Sequence, residues 1–266
     1  MIGKIKLGQY IAMDSLIHRL DPRCKILATI LMMVTILYVD SFYSFYLLFL
    51  LLLMTTFLSK ISIKVVLKSV KPIMLLIIFT AILHLFGADG EKIISIGKIG
   101  ISYQGIILAV KMSLKLFLLV VFASFLVLTT SPVKLSDGLE MLFTPLKKFG
   151  FPAHESAMMM TIALRFIPTL FEETEKIIEA QTSRGANFST GGIIKRTKAY
   201  IPLLIPVFVM LFQRADTLAT AMEARHYRGG VGRTRMYPLK WSANDTISLF
   251  ILIIFSLILL IINGVH

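Results

Sequence analysis

One cysteine, Cys24, stands in 266 residues. A lone thiol excludes an internal disulfide and any four-thiolate zinc or iron–sulfur site. Charge is scarce too, at 16% of residues against about 25% in a soluble domain. Acidic residues are the scarcer half, 15 against 28 basic ones, which leaves a formal charge of +13. No Gly-x-x-x-x-Gly-Lys-Ser/Thr run occurs, so the chain offers no phosphate-cradling loop of its own. His18, His84, His154, His226 and His266 are scattered without the spacing of a helical metal site. Glu172 and Glu175 sit together on an open polar helix face, which lacks the burial that acid–base carboxylates need. No catalytic residue, metal or cofactor is expected.

What is abundant is apolar surface, with 56% hydrophobic residues and a mean hydropathy of +0.82. A bilayer-crossing helix needs about 20 mostly apolar residues. Five runs approach that length: 26–39, 42–58, 73–86, 106–129 and 247–262. The first two are parted only by Asp40 and Ser41, so one helix through both competes with two spans joined by a tight turn. Basic residues decide between them. Lys4, Lys6, Arg19, Arg23 and Lys25 precede the pair, and Lys60, Lys64, Lys68 and Lys71 follow it. Lys and Arg of short loops stay on the cytoplasmic side, and only an even number of crossings keeps both clusters there. Parity then puts residues 87–104 outside, the stretch after Thr129 inside and the C-terminus outside.

A signal peptide is the other reading of a basic start before an apolar run. No small-residue cleavage site follows Leu37 and the next run begins at once, which favours a span. Lys111 and Lys115, one turn apart inside the fourth run, read either as part of a polar pathway or as side chains that snorkel to the outer interface. The first alternative would make the chain a self-sufficient ion-coupled secondary transporter, although no inverted repeat accompanies it. The excess positive charge follows the predicted cytoplasmic side without aromatic interleaving, so nucleic acid is not an expected partner.

Residues 131–240 carry 15 basic and 9 acidic residues, more than half of all charges. The expected division is therefore 1–130 with four spans, 131–240 cytoplasmic, and 241–266 with the last span. A short helix is predicted over 133–148. A long one follows from Ala153, with Phe166, Ile167, Leu170, Thr174, Ile177 and Ile178 recurring at three- and four-residue spacing. Pro168 should kink it and Gly185 should end it. A second long helix is predicted to open near Pro202 and Pro206 and to stop at Gly229 and Gly230. Within it Ala215 and Ala219 give the small-x-x-x-small pattern that lets two helices approach closely.

The two long helices end alike. Ser183, Arg184 and Gly185 close the first and Ala224, Arg225 and His226 the second, with the arginines 41 positions apart. An arginine there complements the negative end of the helix dipole and can be pressed into a groove as a rigid fork of donors. Self-capping is the plainer reading of each. Duplication suggests two similar docking sites on a two-fold partner.

At these residues the chain resembles the transmembrane T component of energy-coupling factor transporters, the EcfT or CbiQ-like family. The carrying stretches are 15–25 (SLIHRLDPRCK), 139–175 and the two arginine motifs, and the likeness runs nearly end to end. The resemblance implies an all-α membrane protein with about five spans and about three cytoplasmic coupling helices, the two longest crossing. It implies two ATP-binding cassette ATPase subunits of the EcfA type, one docked on each arginine motif, and a small membrane S component that binds the vitamin or metal ion. The family tripeptide is Ala-Arg-Gly. Ser183 replaces the first residue of one copy and His226 the last of the other, which leaves open how the second helix ends. Met158, Met159 and Met160 suit contact with an S component, since Met repacks readily against different surfaces; ordinary core filling is the alternative. The implied setting is a prokaryotic cell membrane, with the lipid bilayer as a further partner.

Overall fold

The computed structural model describes residues 10–87, 92–96, 99–150, 152–186, 193–229 and 238–265. The chain divides into two compact units, one of Gly8–Leu142 with Pro238–His266 and one built on Phe143–Tyr237.

The larger unit contains α1 (Leu16–Arg19), α2 (Pro22–Tyr38), α3 (Phe42–Ser59), α4 (Ile63–Val70), α5 (Met74–Gly87), α6 (Tyr103–Thr129) and α7 (Pro132–Phe143). The smaller unit holds a 3-10 turn, Thr144–Phe149, then α8 (Ala153–Ser183) and α9 (Ile193–Ala224). The last helix, α10 (Ala243–Val265), returns to the larger unit. Between α5 and α6 lies an antiparallel hairpin, β1 (Lys92–Ile96) with β2 (Ile99–Ser102), in which Ile96 faces Ile99. The sequence reading gave residues 87–104 a side of the membrane and no structure. The β-branched Ile94, Ile96, Ile99 and Ile101 are what make strands of them.

Among the described residues, five helical stretches are long and apolar enough to cross a membrane: Phe42–Ser59, Ile63–Gly87, Tyr103–Thr129, Tyr200–Ala224 and Ala243–Gly264. Four contain expected runs. The expected run 26–39 falls in α2, which has 17 residues and reaches ~25 Å at ~1.5 Å per residue. The stretch Tyr200–Ala224 lies in the segment expected to be cytoplasmic.

Polar ties fix the directions of the bundle helices. At the start of α2, the Asp21 N–H donates to Asp245 Oδ1 at 2.7 Å, which joins the first turn of α10 to the first turn of α2. At their far ends, Asn263 Nδ2 donates to the Tyr38 carbonyl at 2.8 Å, and Asn263 Oδ1 accepts from the Asp40 and Ser41 N–H groups. Helices α2 and α10 therefore run parallel. The Lys25 ammonium donates to the Thr129 carbonyl at 3.0 Å, while Lys115 donates to the Leu37 carbonyl and Asp40, so α6 runs antiparallel to α2. The chain thus leaves the bundle after α6 and re-enters it at α10 on one and the same face. Only an even number of crossings between Thr129 and Ala243 fits that parity.

Met32 and Ile36 of α2, Leu48 of α3, Leu118 and Val121 of α6 and Leu259 of α10 form the bundle core. Lipid tails are as apolar as leucine, so close packing and polar ties, more than burial, hold such helices together. Two glycines show how close the packing is. A Cβ on Gly105 of α6 would stand 2.8 Å from the Leu85 carbonyl oxygen of α5, and one on Gly138 of α7 would stand 3.1 Å from Pro22 Cβ.

Candidate docking site at two arginine-capped helix ends

Helix α8 winds on to Ser183, and the chain then reverses in a compact hydrogen-bonded cap. The Arg184 N–H reaches the Ala180 carbonyl at 3.2 Å, the Gly185 N–H reaches Thr182 at 3.0 Å and the Ala186 N–H reaches Gln181 at 3.0 Å. This is the Schellman pattern, with Arg184 at the cap position and Gly185 left-handed at φ +88°. Helix α9 closes the same way. The His226 N–H reaches Glu223 at 2.8 Å and the Tyr227 N–H reaches Met222 at 3.0 Å, with His226 left-handed at φ +54°. The sequence expected this helix to stop at Gly229 and Gly230. It stops at Ala224 instead, because His226 adopts the left-handed turn that glycine was expected to supply; Gly230 lies outside the described residues.

Ser183, Arg184 and Gly185 are exposed, as are Ala224, Arg225 and His226. Among the described residues neither guanidinium has an ion pair or hydrogen bond, so neither arginine side chain caps its own helix. Each tip presents a solvated cation where the helix dipole ends.

The two helices meet well before their tips. Arg214 of α9 forms an ion pair with Glu173 of α8, and its guanidinium lies 5.8 Å from the centre of the Phe166 ring. Sequence reasoning missed this contact, although its signal was present. Glu173 and Arg214 are 41 positions apart, the same interval that separates the arginine caps. Glu173 stands 11 residues before Arg184, and Arg214 stands 11 before Arg225. Equal arms of ~16 Å thus run from one shared ion pair to two like caps. Ala215 and Ala219, singled out for close approach, are exposed, as is Pro168, through which α8 continues unbroken. Helix α9 begins at Ile193, well before Pro202 and Pro206, and both prolines lie inside it. The exposed side of α9 is oily, with Ile205 at 66% and Phe212 at 72% exposure. On α8, Met159 and Met160 are exposed and Met158 is half-buried.

The likeness-bearing stretch 15–25 proves to be the anchor of the bundle. Asp21 caps α2 and grips Arg23 with both oxygens, at 3.0 and 2.9 Å, while Arg23 stacks on Trp241 at 5.4 Å. Asp245, 1% exposed, accepts from the Asp21 N–H and from the N–H and hydroxyl of Ser242, all at 2.7 Å. Cys24 donates its thiol to the Asp245 carbonyl at 3.4 Å. The Lys115 ammonium reaches the turn between α2 and α3 and fastens it, which accords with the snorkelling reading rather than with a polar pathway. Lys111 lies 5.3 Å from the Phe42 ring centre.

A protein-family model described as CbiQ, cobalt transport protein, matches residues 13–238. Curated relatives called energy-coupling factor transporter transmembrane protein EcfT match over almost the whole chain. The one from Ruminiclostridium cellulolyticum is 49% identical over 255 residues, 96% of each chain. That from Thermanaerovibrio acidaminovorans is 49% identical over 246 residues, covering 92% of this chain and 91% of its own. That from Brevibacillus brevis is 46% identical over 265 residues, covering 99% and 98%.

Proposed function

This chain belongs to the CbiQ family, whose EcfT members it matches nearly end to end, and from that premise we propose that it is the membrane coupling subunit of an ATP-driven importer of the energy-coupling factor type, serving vitamins or other micronutrients. It performs no chemistry itself. Two ATP-binding cassette subunits hydrolyse ATP, one holding the tip at Arg184 and the other the tip at Arg225. When the pair closes and opens, the two tips are driven together and apart. The ion pair of Glu173 and Arg214 is the pivot, so movement at the tips reappears on the other side of the crossing. There the exposed apolar side of α9 and the methionines of α8 take hold of a membrane S component that carries the substrate. The N-terminus lies in the cytoplasm and the C-terminus outside, in keeping with the basic residues gathered at one end of the bundle.

The observation that carries this reading is the pair of equal arms ending in alike, exposed arginine caps. A purely structural arginine would fold back on its helix carbonyls. Replacement of both, Arg184→Glu with Arg225→Glu, is expected to abolish assembly with the ATPases and ATP-driven uptake while leaving the chain inserted and folded. Normal uptake by that double variant in proteoliposomes would refute it.

A further inference from the structure

A cavity of about 250 Å³ opens within the larger unit, between α2, α3, α6 and α10, with Ile17 of α1 and Leu20 just after it closing one end. Its wall includes Ala28 of α2 and Met54 and Leu58 of α3, and exposed Met54 and Ile251 mark a lateral mouth between α3 and α10. Six lining residues carry polar side chains, and five are already engaged. Thr29, Thr55 and Thr129 each donate to a backbone carbonyl of their own helix. Lys25 donates to the His18 and Thr129 carbonyls and Cys24 to that of Asp245. Of the six, only Ser248 makes no side-chain hydrogen bond among the described residues, and the lining is overwhelmingly aliphatic and aromatic. A water needs two to four polar partners, and a cavity with apolar walls stays dry and takes apolar guests.

The rim has the opposite character. Arg19 is the last residue of α1, between Ile17 and Leu20 in the chain, and Lys60 caps the end of α3 two residues after Leu58. Asp14, the carboxylate there, is held by Arg19 at 2.6 and 2.7 Å. Arg19, and to a lesser degree Lys60, keep its carboxyl below the usual carboxylate range. Two cations against one anion leave a net positive charge beside the end of the slot formed by Ile17, Leu20 and Leu58.

We propose that this cavity is a lipid site, taking one acyl chain of an anionic phospholipid with its phosphate at Arg19 and Lys60. A site of this kind would tie the bundle to anionic membranes. The purified full-length chain in mild detergent, stripped of lipid and titrated with phosphatidylglycerol or phosphatidylcholine of matched chains, tests it by native mass spectrometry. One phosphatidylglycerol should bind tightly. Ala28→Trp should weaken it several-fold, since the indole fills the slot and takes away the close packing of the chain against its walls. Arg19→Gln with Lys60→Gln, both exposed, should erase the preference over phosphatidylcholine at roughly fivefold per charge. Equal binding of the two lipids by the unaltered chain would overturn the proposal, as would undiminished binding by a folded Ala28→Trp variant. If that variant does not fold, retention of the preference by the rim double variant overturns it alone.

Discussion

A left-handed residue other than glycine carries a conformational cost, and His226 bears it at φ +54°. The matching position of α8 is a glycine, with open space where a Cβ would go. His226→Gly should therefore strengthen the end of α9 by about 1 kcal/mol. Slower amide exchange at Tyr227, whose N–H closes the cap, would report it. The recurrence of arginine at 41 residues was legible in the sequence, whereas the conformation of His226 was not, because histidine gives only a weak left-handed signal. A second residue-scale consequence concerns His18. One ring nitrogen of His18 contacts the Ser15 hydroxyl at 2.7 Å and the other the Ile11 carbonyl at 3.1 Å. Burial is the largest influence on it and lowers its pKa below 6.5. A histidine depressed in the folded state binds its proton more readily unfolded, so its contribution is complete above 6.5 and is lost as pH falls from there through the folded value. Thermal unfolding in detergent should show a midpoint falling between pH 7.5 and 5.5, with a smaller fall in His18→Gln.

Among the elements, the crossing of α8 and α9 has its own test. Glu173 and Arg214 occupy equivalent positions on two helices related by a 41-residue shift. Exchanging them should therefore largely preserve the contact. Glu173→Arg alone sets two cations against each other, and Arg214→Glu alone sets two carboxylates together. Each should lower the unfolding midpoint, and the double exchange should restore most of it, with a coupling energy of about 1–3 kcal/mol. Recovery will be incomplete, because the position equivalent to Phe166 on α9 is Val207, which offers no ring for the moved guanidinium. Additive losses in the double variant would show that the pair is not the pivot. The apolar runs themselves could be read from the sequence, since a bilayer demands unbroken hydrophobicity. The start of α9 could not, because Pro202 and Pro206 ordinarily mark a helix boundary. The contact point of the crossing was not legible: Ala215 and Ala219 matched a known packing pattern, while the residue that touches α8 is their neighbour Arg214.

At the scale of the whole molecule, the basic clusters foretold two crossings before Lys60, and the ties of the bundle agree with that count. What no local pattern foretold is the joining of Asp21 to Asp245, 224 residues apart, and it is this contact that fixes where the chain re-enters. Because α6 ends and α10 begins on one face, the Phe143–Tyr237 unit should be reached from that face only, despite the apolar length of Tyr200–Ala224. The lone native thiol, Cys24, is buried, so single cysteines report cleanly against it. Ser131→Cys, Ala215→Cys and Ser242→Cys should react with a membrane-impermeant maleimide from one side of oriented vesicles. Asp40→Cys, at the turn held by Lys115 and Asn263, should react only from the other. Labelling of Ala215→Cys from the side that labels Asp40→Cys, or its protection from both, would mean that α9 enters the bilayer. A second crossing would then have to be found in α8, against its four glutamates between positions 172 and 179.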